Sequence, residues 1–100
     1  MAVEHTVKCW SDYFDAIERG EKTFDVRRDD RGYQKGDTLR LQKYKIGSGF
    51  VSSPDGGRFS IHELRREITY VLTGGQFGIE PGYVVLALAR SEDASRKRSE

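Results

Sequence analysis

One stretch of this chain has the spacing of a helix, and the rest alternates between short β-prone segments and glycine-rich turns. Within Ser11 to Arg19, the residues Tyr13, Phe14 and Ile17 form an apolar stripe at helical spacing. This range opens on a serine that can serve as N-cap, and Gly20 follows as a natural stop. Several short strands and a single helix cannot form a doubly wound parallel sheet. They predict an α+β, mainly β fold: a small, curled, mostly antiparallel β-barrel whose helix at residues 11–19 covers one opening.

Five segments carry the alternation, or the short apolar run, that is expected of β-strands. They are Val3 to Trp10, Thr23 to Arg28, Thr38 to Tyr44, Leu64 to Leu72 and Tyr83 to Ala89. The pattern of Leu64 to Leu72 competes with a capping box formed by Ser60 and Glu63, and we favour the strand because Ile68, Tyr70 and Leu72 alternate. The stretch from Ile46 to Gly57 predicts a long loop with a hairpin around Ser53 to Gly56.

The length of 100 residues fits one domain, which we place at residues 1–89. Residues 90–100 are highly charged and hold no large apolar side chain, so we expect a disordered tail. The longest apolar run, Tyr83 to Ala89, is too short to span a bilayer, and the first residues lack the pattern of a signal peptide. We therefore expect a cytoplasmic protein without a membrane partner.

Composition limits the chemistry that such a domain can perform. With Cys9 as the one cysteine, there is neither a disulfide framework nor a cysteine cluster for a metal ion. His5 and His62 have no ligand partner at metal-binding spacing, and we expect structural histidines, no metal and no cofactor. The net charge of +1 gives no global basic field, so any RNA binding has to rest on a local patch.

Three residues at the start of the second strand form the sharpest candidate cluster. Lys22 follows the predicted helix end, and Asp25 and Arg27 are two apart on a strand, so they share a face. We expect the lysine and the polar side of this strand to look into a shared hollow. The alternative is a salt bridge that pins strand to helix and contributes about 0–1 kcal/mol if exposed.

The best local basic patch follows directly. It consists of Arg27, Arg28, Arg31 and Lys35 together with Tyr33. The arginines could each bind a phosphate through two N–H groups and Tyr33 could stack on a base, although three aspartates in the same stretch partly cancel the positive field. We interpret the glycine-rich loop around Gln76 as the rim of the cleft. The full set of ligand-binding candidates is Trp10, Thr23, Arg27, Arg28, Arg31, Tyr33, Gln76 and Tyr83.

The run from Tyr13 to Arg28 has an aromatic residue, a helix ending in Gly-x-Lys-Thr and a strand ending in arginine. It resembles the opening of ASCH domains, which share the PUA-like barrel. Asp30 to Asp37 resembles a small bacterial and phage branch of that group, and Ile68 to Leu72 and Gly82 to Leu86 resemble its last strands. The likeness covers roughly residues 4 to 89.

This resemblance implies two activities. PUA-like domains often bind RNA, and some small ASCH proteins are amidohydrolases that remove acyl groups from modified cytidines with a lysine, a threonine and a glutamate. Lys22 matches the lysine of those enzymes, whereas Asp25 stands where they have the threonine. Our first hypothesis is RNA or nucleotide-like binding in a cleft between the first helix and the following strand.

The second hypothesis is a small amidohydrolase acting on an acylated nucleoside such as N4-acetylcytidine. Lys22 would be its base or nucleophile, and Asp25 would handle the proton or orient water. The third is a non-catalytic protein-interaction domain, which an exposed apolar patch would favour. In each case we expect a monomer.

Overall fold

The computed structural model describes residues 2–54 and 60–90, which contain one helix and six strands. In chain order these are β1 (Glu4–Trp10), α1 (Ser11–Glu18), β2 (Phe24–Arg28), β3 (Thr38–Lys45), β4 (Gly49–Phe50), β5 (Glu63–Thr73) and β6 (Tyr83–Leu88). The predicted α+β, mainly β class with one short helix is therefore confirmed.

The strands form one curled sheet in the order β1-β3-β5-β6-β2, with β4 paired to β3. The pairing is antiparallel except between β1 and β3, which run parallel. The connection between these two strands contains α1 and β2, a crossover long enough for parallel pairing. A register shift between Ile68 and Tyr70 interrupts β5, and such bulges bend and twist a strand. In this order β1 and β2 are the two edges of the sheet.

The core lies on the inner face of this curled sheet. Alternate residues of β1, β3 and β6 point into it, and α1 adds Phe14 and Ile17, which are both almost fully buried. The core members are Val7, Cys9, Phe14, Ile17, Tyr33, Leu39, Leu41, Ile68, Val84, Leu86 and Leu88. The two apolar helix residues thus fix α1 against the inner face, since each buried side chain of this size contributes about 1.5–3 kcal/mol.

The two ends of α1 differ in how well the sequence predicts them. The expected serine N-cap is wrong: Trp10 is the N-cap residue, it makes no side-chain capping bond, and Ser11 is already helical. The glycine stop is confirmed, because Gly20 has a φ of +82° and donates to the carbonyl of Ile17, while Glu21 donates to Ala16. These are the two bonds of a Schellman motif, and they turn the chain sharply into the segment that carries Lys22.

The segment between β3 and β5, which the sequence predicts to be a long loop, contains β-type backbone pairs. Gly49 and Phe50 form β4 against the end of β3, and Ser52 pairs with Ile61 as an isolated antiparallel bridge. The hairpin predicted around Ser53 to Gly56 falls partly outside the described residues. The capping-box pattern does not start a helix, because β5 begins at Glu63.

Two other expectations concern the chain as a whole. The tail predicted at residues 90–100 lies, beyond Arg90, outside the described residues. Across residues 2–54 and 60–90, no helix has the length and apolar character needed to cross a membrane.

Candidate ligand-binding cleft

Two adjoining hollows lie between α1 and the edge strand β2. The larger, of about 390 Å³, is lined by Tyr13, Lys22, Phe24, Asp25 and Val26. The smaller, of about 180 Å³, is lined by Lys8, Cys9, Trp10, Tyr13, Asp25, Val26 and Arg27. Because Tyr13, Asp25 and Val26 line both, we treat them as one site and call it the α1–β2 cleft.

In an ordinary half-buried strand the apolar side chains face the core and the polar ones face solvent. In β2 this arrangement is reversed. Asp25 is only 6% exposed, whereas Phe24 and Val26 are 45% and 53% exposed. The polar side of β2 therefore turns inward, toward the cleft. A buried carboxylate is costly unless cations or hydrogen bonds compensate it, so the neighbours of Asp25 are the central feature of the site.

Two cations compensate Asp25. Arg27 Nε donates to Oδ2 at 2.5 Å, and Lys22 Nζ lies 3.6 Å from Oδ1. The second distance is too long for a direct hydrogen bond, which leaves Oδ1 able to accept one from another molecule. Lys22 thus lines the larger hollow, Arg27 lines the smaller one, and Asp25 contacts both residues and lines both hollows.

Lys22 is held by its backbone and its side chain. Its amide donates to the Ala16 carbonyl at the end of α1, and its Nζ donates to the Phe24 carbonyl at 2.8 Å. The ammonium also lies 5.1 Å from the Tyr13 ring centroid and 4.7 Å from that of Phe24. The Phe24 carbonyl and these two rings hold the Lys22 ammonium in position beside the cleft.

The guanidinium of Arg27 is hydrogen-bonded to other groups of the protein. Besides Asp25, its guanidinium bonds the Lys8 carbonyl on β1 through Nη2 at 2.9 Å. Burial by itself lowers the pKa of Arg27, but the charge and hydrogen bond of Asp25, together with Tyr33, raise it above its ordinary value. Arg27 therefore orients Asp25 and ties β2 to β1, and the expected phosphate contact competes with these bonds.

Arg31 and Tyr33 also depart from the expected roles. Arg31 Nη1 donates to the Thr6 carbonyl of β1 at 2.9 Å, so it spans the same gap as Arg27. Tyr33 is 4% exposed and its ring packs edge-on against His5. The prediction that Tyr33 stacks on a base is wrong for this conformation, because neither face of a buried ring is open to a ligand.

Arg28 and Tyr83 contact each other at the far end of β2. Their register pair is the last between β2 and β6, and the guanidinium lies 5.2 Å from the ring centroid. Thr23 precedes β2, and its carbonyl accepts from the amide of Leu88. The residues lining the α1–β2 cleft include none of these three candidates.

The loop that carries Gln76 does not form the rim of this cleft. Since β2 and β6 are antiparallel, the loop before β6 meets the end of β2, where the Asp29 amide donates to the Gly82 carbonyl. Gln76 itself donates to the Thr73 carbonyl and stays within its own loop. The expectation of a cleft rim at Gln76 is wrong for this topological reason.

Aromatic and sulfur-bearing side chains complete the site. Trp10 and Tyr13 are 51% and 49% exposed, and their rings lie nearly parallel with centroids 6.0 Å apart. Cys9 forms part of the cleft lining but is 3% exposed, and burial, reinforced by Asp25, raises its pKa to about 11. Sequence reasoning missed Lys8, although its place beside Trp10 on an alternating strand was a usable signal.

The histidines have structural partners. His5 Nε2 is 2.8 Å from Asp37 Oδ2, and His62 lies 3.3 Å from Glu18 and against Phe14. Across the described parts of the chain, no group of three or more His, Cys, Asp or Glu is placed to hold a metal ion.

The outer face of β2, β6 and β5 is apolar. Phe24, Val26 and Tyr70 are exposed there, with half-buried Val85 and Ala87 between them in register. This is the kind of patch that the protein-interaction hypothesis requires. The protein-interaction hypothesis stays a prediction.

Comparison with known proteins gives two matches. The family model DUF3850, described as a domain of unknown function, matches residues 4–88. A protein of Escherichia phage P2, described as an uncharacterized 12.9 kDa protein in the GpA 3' region, is 43% identical over 47 residues. The match spans 47% of this chain and 43% of the phage protein, which is less than half of either.

Proposed function

The chain belongs to the DUF3850 family, and we propose that its α1–β2 cleft binds RNA or a nucleotide-like ligand. The observation that carries this proposal is the buried Asp25 carboxylate, which is held by Arg27 but keeps one oxygen within reach of the cleft. A carboxylate in such a place accepts hydrogen bonds from base amines. We also propose that this binding takes place in the cytoplasm and that the protein is related to the ASCH group of PUA-like domains, which its sequence resembles.

The cleft supplies three kinds of contact that a nucleotide needs. Asp25 Oδ1 offers an acceptor, the Lys22 ammonium offers a charge for a phosphate or a carbonyl, and the exposed Trp10 and Tyr13 rings offer faces for stacking. Single-stranded RNA is read in this way, by stacking and by hydrogen bonds to base edges. The larger hollow also falls within the range of about 300–1,000 Å³ that is typical of small-molecule sites.

Equilibrium binding tests this proposal. We would titrate ¹⁵N-labelled protein with AMP, CMP, GMP and UMP, and measure retention of a short single-stranded RNA by filter binding at low salt. Lys22→Ala and Asp25→Asn should each weaken binding about tenfold, since a hydrogen bond to a charged group contributes about 1.5–3 kcal/mol. Arg28→Ala is the matched control, because Arg28 lies on the same strand but contacts Tyr83.

Two results would count against the proposal. One is the absence of RNA retention and of any nucleotide-induced shift in the signals of the cleft residues. The other is an equal loss of binding in Arg28→Ala, which would place the ligand elsewhere on β2.

The closeness of Lys22 and Asp25 favours a second candidate, hydrolysis of an acylated nucleoside. Nζ and Oδ1 are 3.6 Å apart. Asp25 would accept a proton from water as the water oxygen bonds to the acyl carbon, and the Lys22 ammonium would stabilise the oxyanion that forms. Asp25 would then return the proton to the N4 nitrogen as the C–N bond breaks, which releases cytidine and acetate. Incubation with N4-acetylcytidine should then release cytidine and acetate, as followed by chromatography, and Lys22→Ala should abolish it. Absence of cytidine from the wild-type reaction rejects this candidate and leaves the binding proposal in place.

A further inference from the structure

A row of aromatic side chains crosses the outer face of the sheet beside the α1–β2 cleft. Trp10 on β1 pairs in register with Tyr44 on β3, and Tyr44 pairs with Phe50 on β4. Trp10 and Phe50 are about half exposed, and the rings of Tyr44 and Phe50 meet edge to face with centroids 5.2 Å apart. We call these three residues the aromatic strip.

A further hollow lies against this strip. It has a volume of about 420 Å³ and is lined by Trp10, Ser11, Asp12, Tyr13, Tyr44, Lys45 and Ile46. Trp10 and Tyr13 also line the smaller hollow of the α1–β2 cleft. The Trp10–Tyr13 pair therefore stands between these two hollows and presents aromatic surface to both.

Cations accompany the rings. Lys8 Nζ lies 4.3 Å from the Tyr44 ring centroid, and Lys8 also lines the α1–β2 cleft. Lys45 lines the hollow at the strip, where Asp12 is the acidic neighbour. Aromatic faces beside lysine ammonium groups are the combination by which proteins hold single-stranded nucleic acid, because bases stack on the rings and phosphates meet the cations.

We propose that the aromatic strip is a second base-binding subsite, so that the ligand of the protein is a single-stranded oligonucleotide rather than a free nucleotide. One base occupies the α1–β2 cleft, the next stacks against Tyr44 on the other side of Trp10, and Lys8 meets the phosphate that joins them. This inference rests on the proposed function, because it extends the same site from one nucleotide to at least two.

Length dependence of binding tests the inference. Affinities of the intact chain for AMP, CMP, GMP and UMP would be compared with those for the matching RNA and DNA trinucleotides, by NMR titration and fluorescence anisotropy. The best trinucleotide should bind at least about tenfold more tightly than its mononucleotide, because each further base that stacks on an aromatic ring adds to the affinity. Tyr44→Ala should remove this gain and leave mononucleotide affinity within about twofold.

Two further variants distinguish a specific contribution of the aromatic strip to binding from a general effect of substitution on folding. Tyr44→Phe keeps the ring and should retain the gain with length. Tyr70→Ala removes an exposed tyrosine on β5 that lines neither the hollow at the strip nor the α1–β2 cleft, and it should change neither affinity. Circular dichroism of each variant checks that the fold is retained.

The possible outcomes distinguish a failure of this inference from a failure of the proposed function. Equal affinity for mononucleotides and trinucleotides, or a trinucleotide affinity that Tyr44→Ala does not change, overturns the inference and leaves the proposed function standing. No binding of either length overturns both. A change of molar mass in light scattering on Tyr44→Ala would mark the strip as a contact between copies of the chain and would also overturn the inference.

Discussion

Arg27 Nη2 donates to the carbonyl oxygen of Lys8 at 2.9 Å and thereby joins the two edge strands of the sheet. Arg31 makes an equivalent bond to Thr6. Arg27 on β2 and Arg31 in the loop after β2 thus both bind carbonyl oxygens of β1 through their side chains. The space left beside Val26 and Trp10 is the smaller hollow of the α1–β2 cleft, so the incomplete closure of the sheet creates the candidate site.

The first prediction compares these two arginines. Arg27→Ala should lower the free energy of unfolding by about 1–3 kcal/mol, because it removes a partner of the buried Asp25 carboxylate as well as the bond to β1. Arg31→Ala loses a more exposed side chain and should cost less than about 1 kcal/mol. Urea denaturation followed by circular dichroism measures both values, and equal losses would contradict the central role of Arg27.

The second prediction concerns acid stability. His5 donates to Asp37, and with the amides of Val3 and Gln34 it lowers the pKa of that carboxyl below its usual range. A depressed pKa in the folded state adds stability above the unfolded pKa of about 3.9, and this stability is lost as the pH falls through the folded pKa. We therefore expect the free energy of unfolding to fall steeply below about pH 4.

An Asp37→Asn variant should flatten this acid dependence without removing it. Glu63 also contributes, since hydrogen bonds from Gln42 and Arg40 lower its pKa despite the opposing effect of burial. Leu39→Ala is the control, because it destabilises the core without removing a carboxyl group. Urea titrations between pH 2.5 and pH 7, a range chosen to bracket about pH 4, would contradict the prediction if Asp37→Asn kept the wild-type slope.

The third prediction is low reactivity of the Cys9 thiol. With its pKa raised to about 11 by burial and by Asp25, only about one thiol in a thousand is ionised at pH 8, and the thiolate is the reactive form. The reaction with a chromogenic disulfide reagent should therefore be at least about a hundredfold slower in the native protein than in urea. A native rate close to the denatured rate would place Cys9 outside the core.

The fourth prediction tests how the helix end positions Lys22. Gly20→Ala forces a side chain into a backbone with φ of +82° and should cost about 1–2 kcal/mol. Gly20→Asn should cost less, because asparagine tolerates this conformation. Nucleotide affinity of the folded fraction should fall in parallel if the Schellman turn sets the position of Lys22. Unchanged affinity in Gly20→Ala would show that the lysine reaches the cleft without it.

Local signals predicted much of this fold. The apolar stripe and the glycine stop place α1 to within one residue, and alternation places the main strands to within one or two. Spacing of two also predicted that Asp25 and Arg27 share a face. These signals arise from residues that are close together along the chain, so they can be recognised from the sequence alone.

Other features depend on residues far apart in the chain. Nothing local indicates that Phe24 and Val26 face outward, that Tyr33 is buried against His5, or that Gln76 lies at the wrong end of β2 for the cleft. The parallel pairing of β1 with β3 likewise follows from the crossover and not from either strand alone. Which side of β2 faces inward depends on the cations that compensate Asp25, and one of them is anchored on β1.

The sequence by itself determined the helix, the strands, the sharp turn at Gly20 and the common face of the polar residues on β2, because backbone preferences and side-chain periodicity act over a few residues. The tertiary structure alone decided that this polar face meets Trp10, Tyr13 and Lys8 across an incompletely closed sheet. That arrangement exists because curling of the sheet brings β1 close enough to β2 and to the loop after it for the side chains of Arg27 and Arg31 to reach β1 carbonyls.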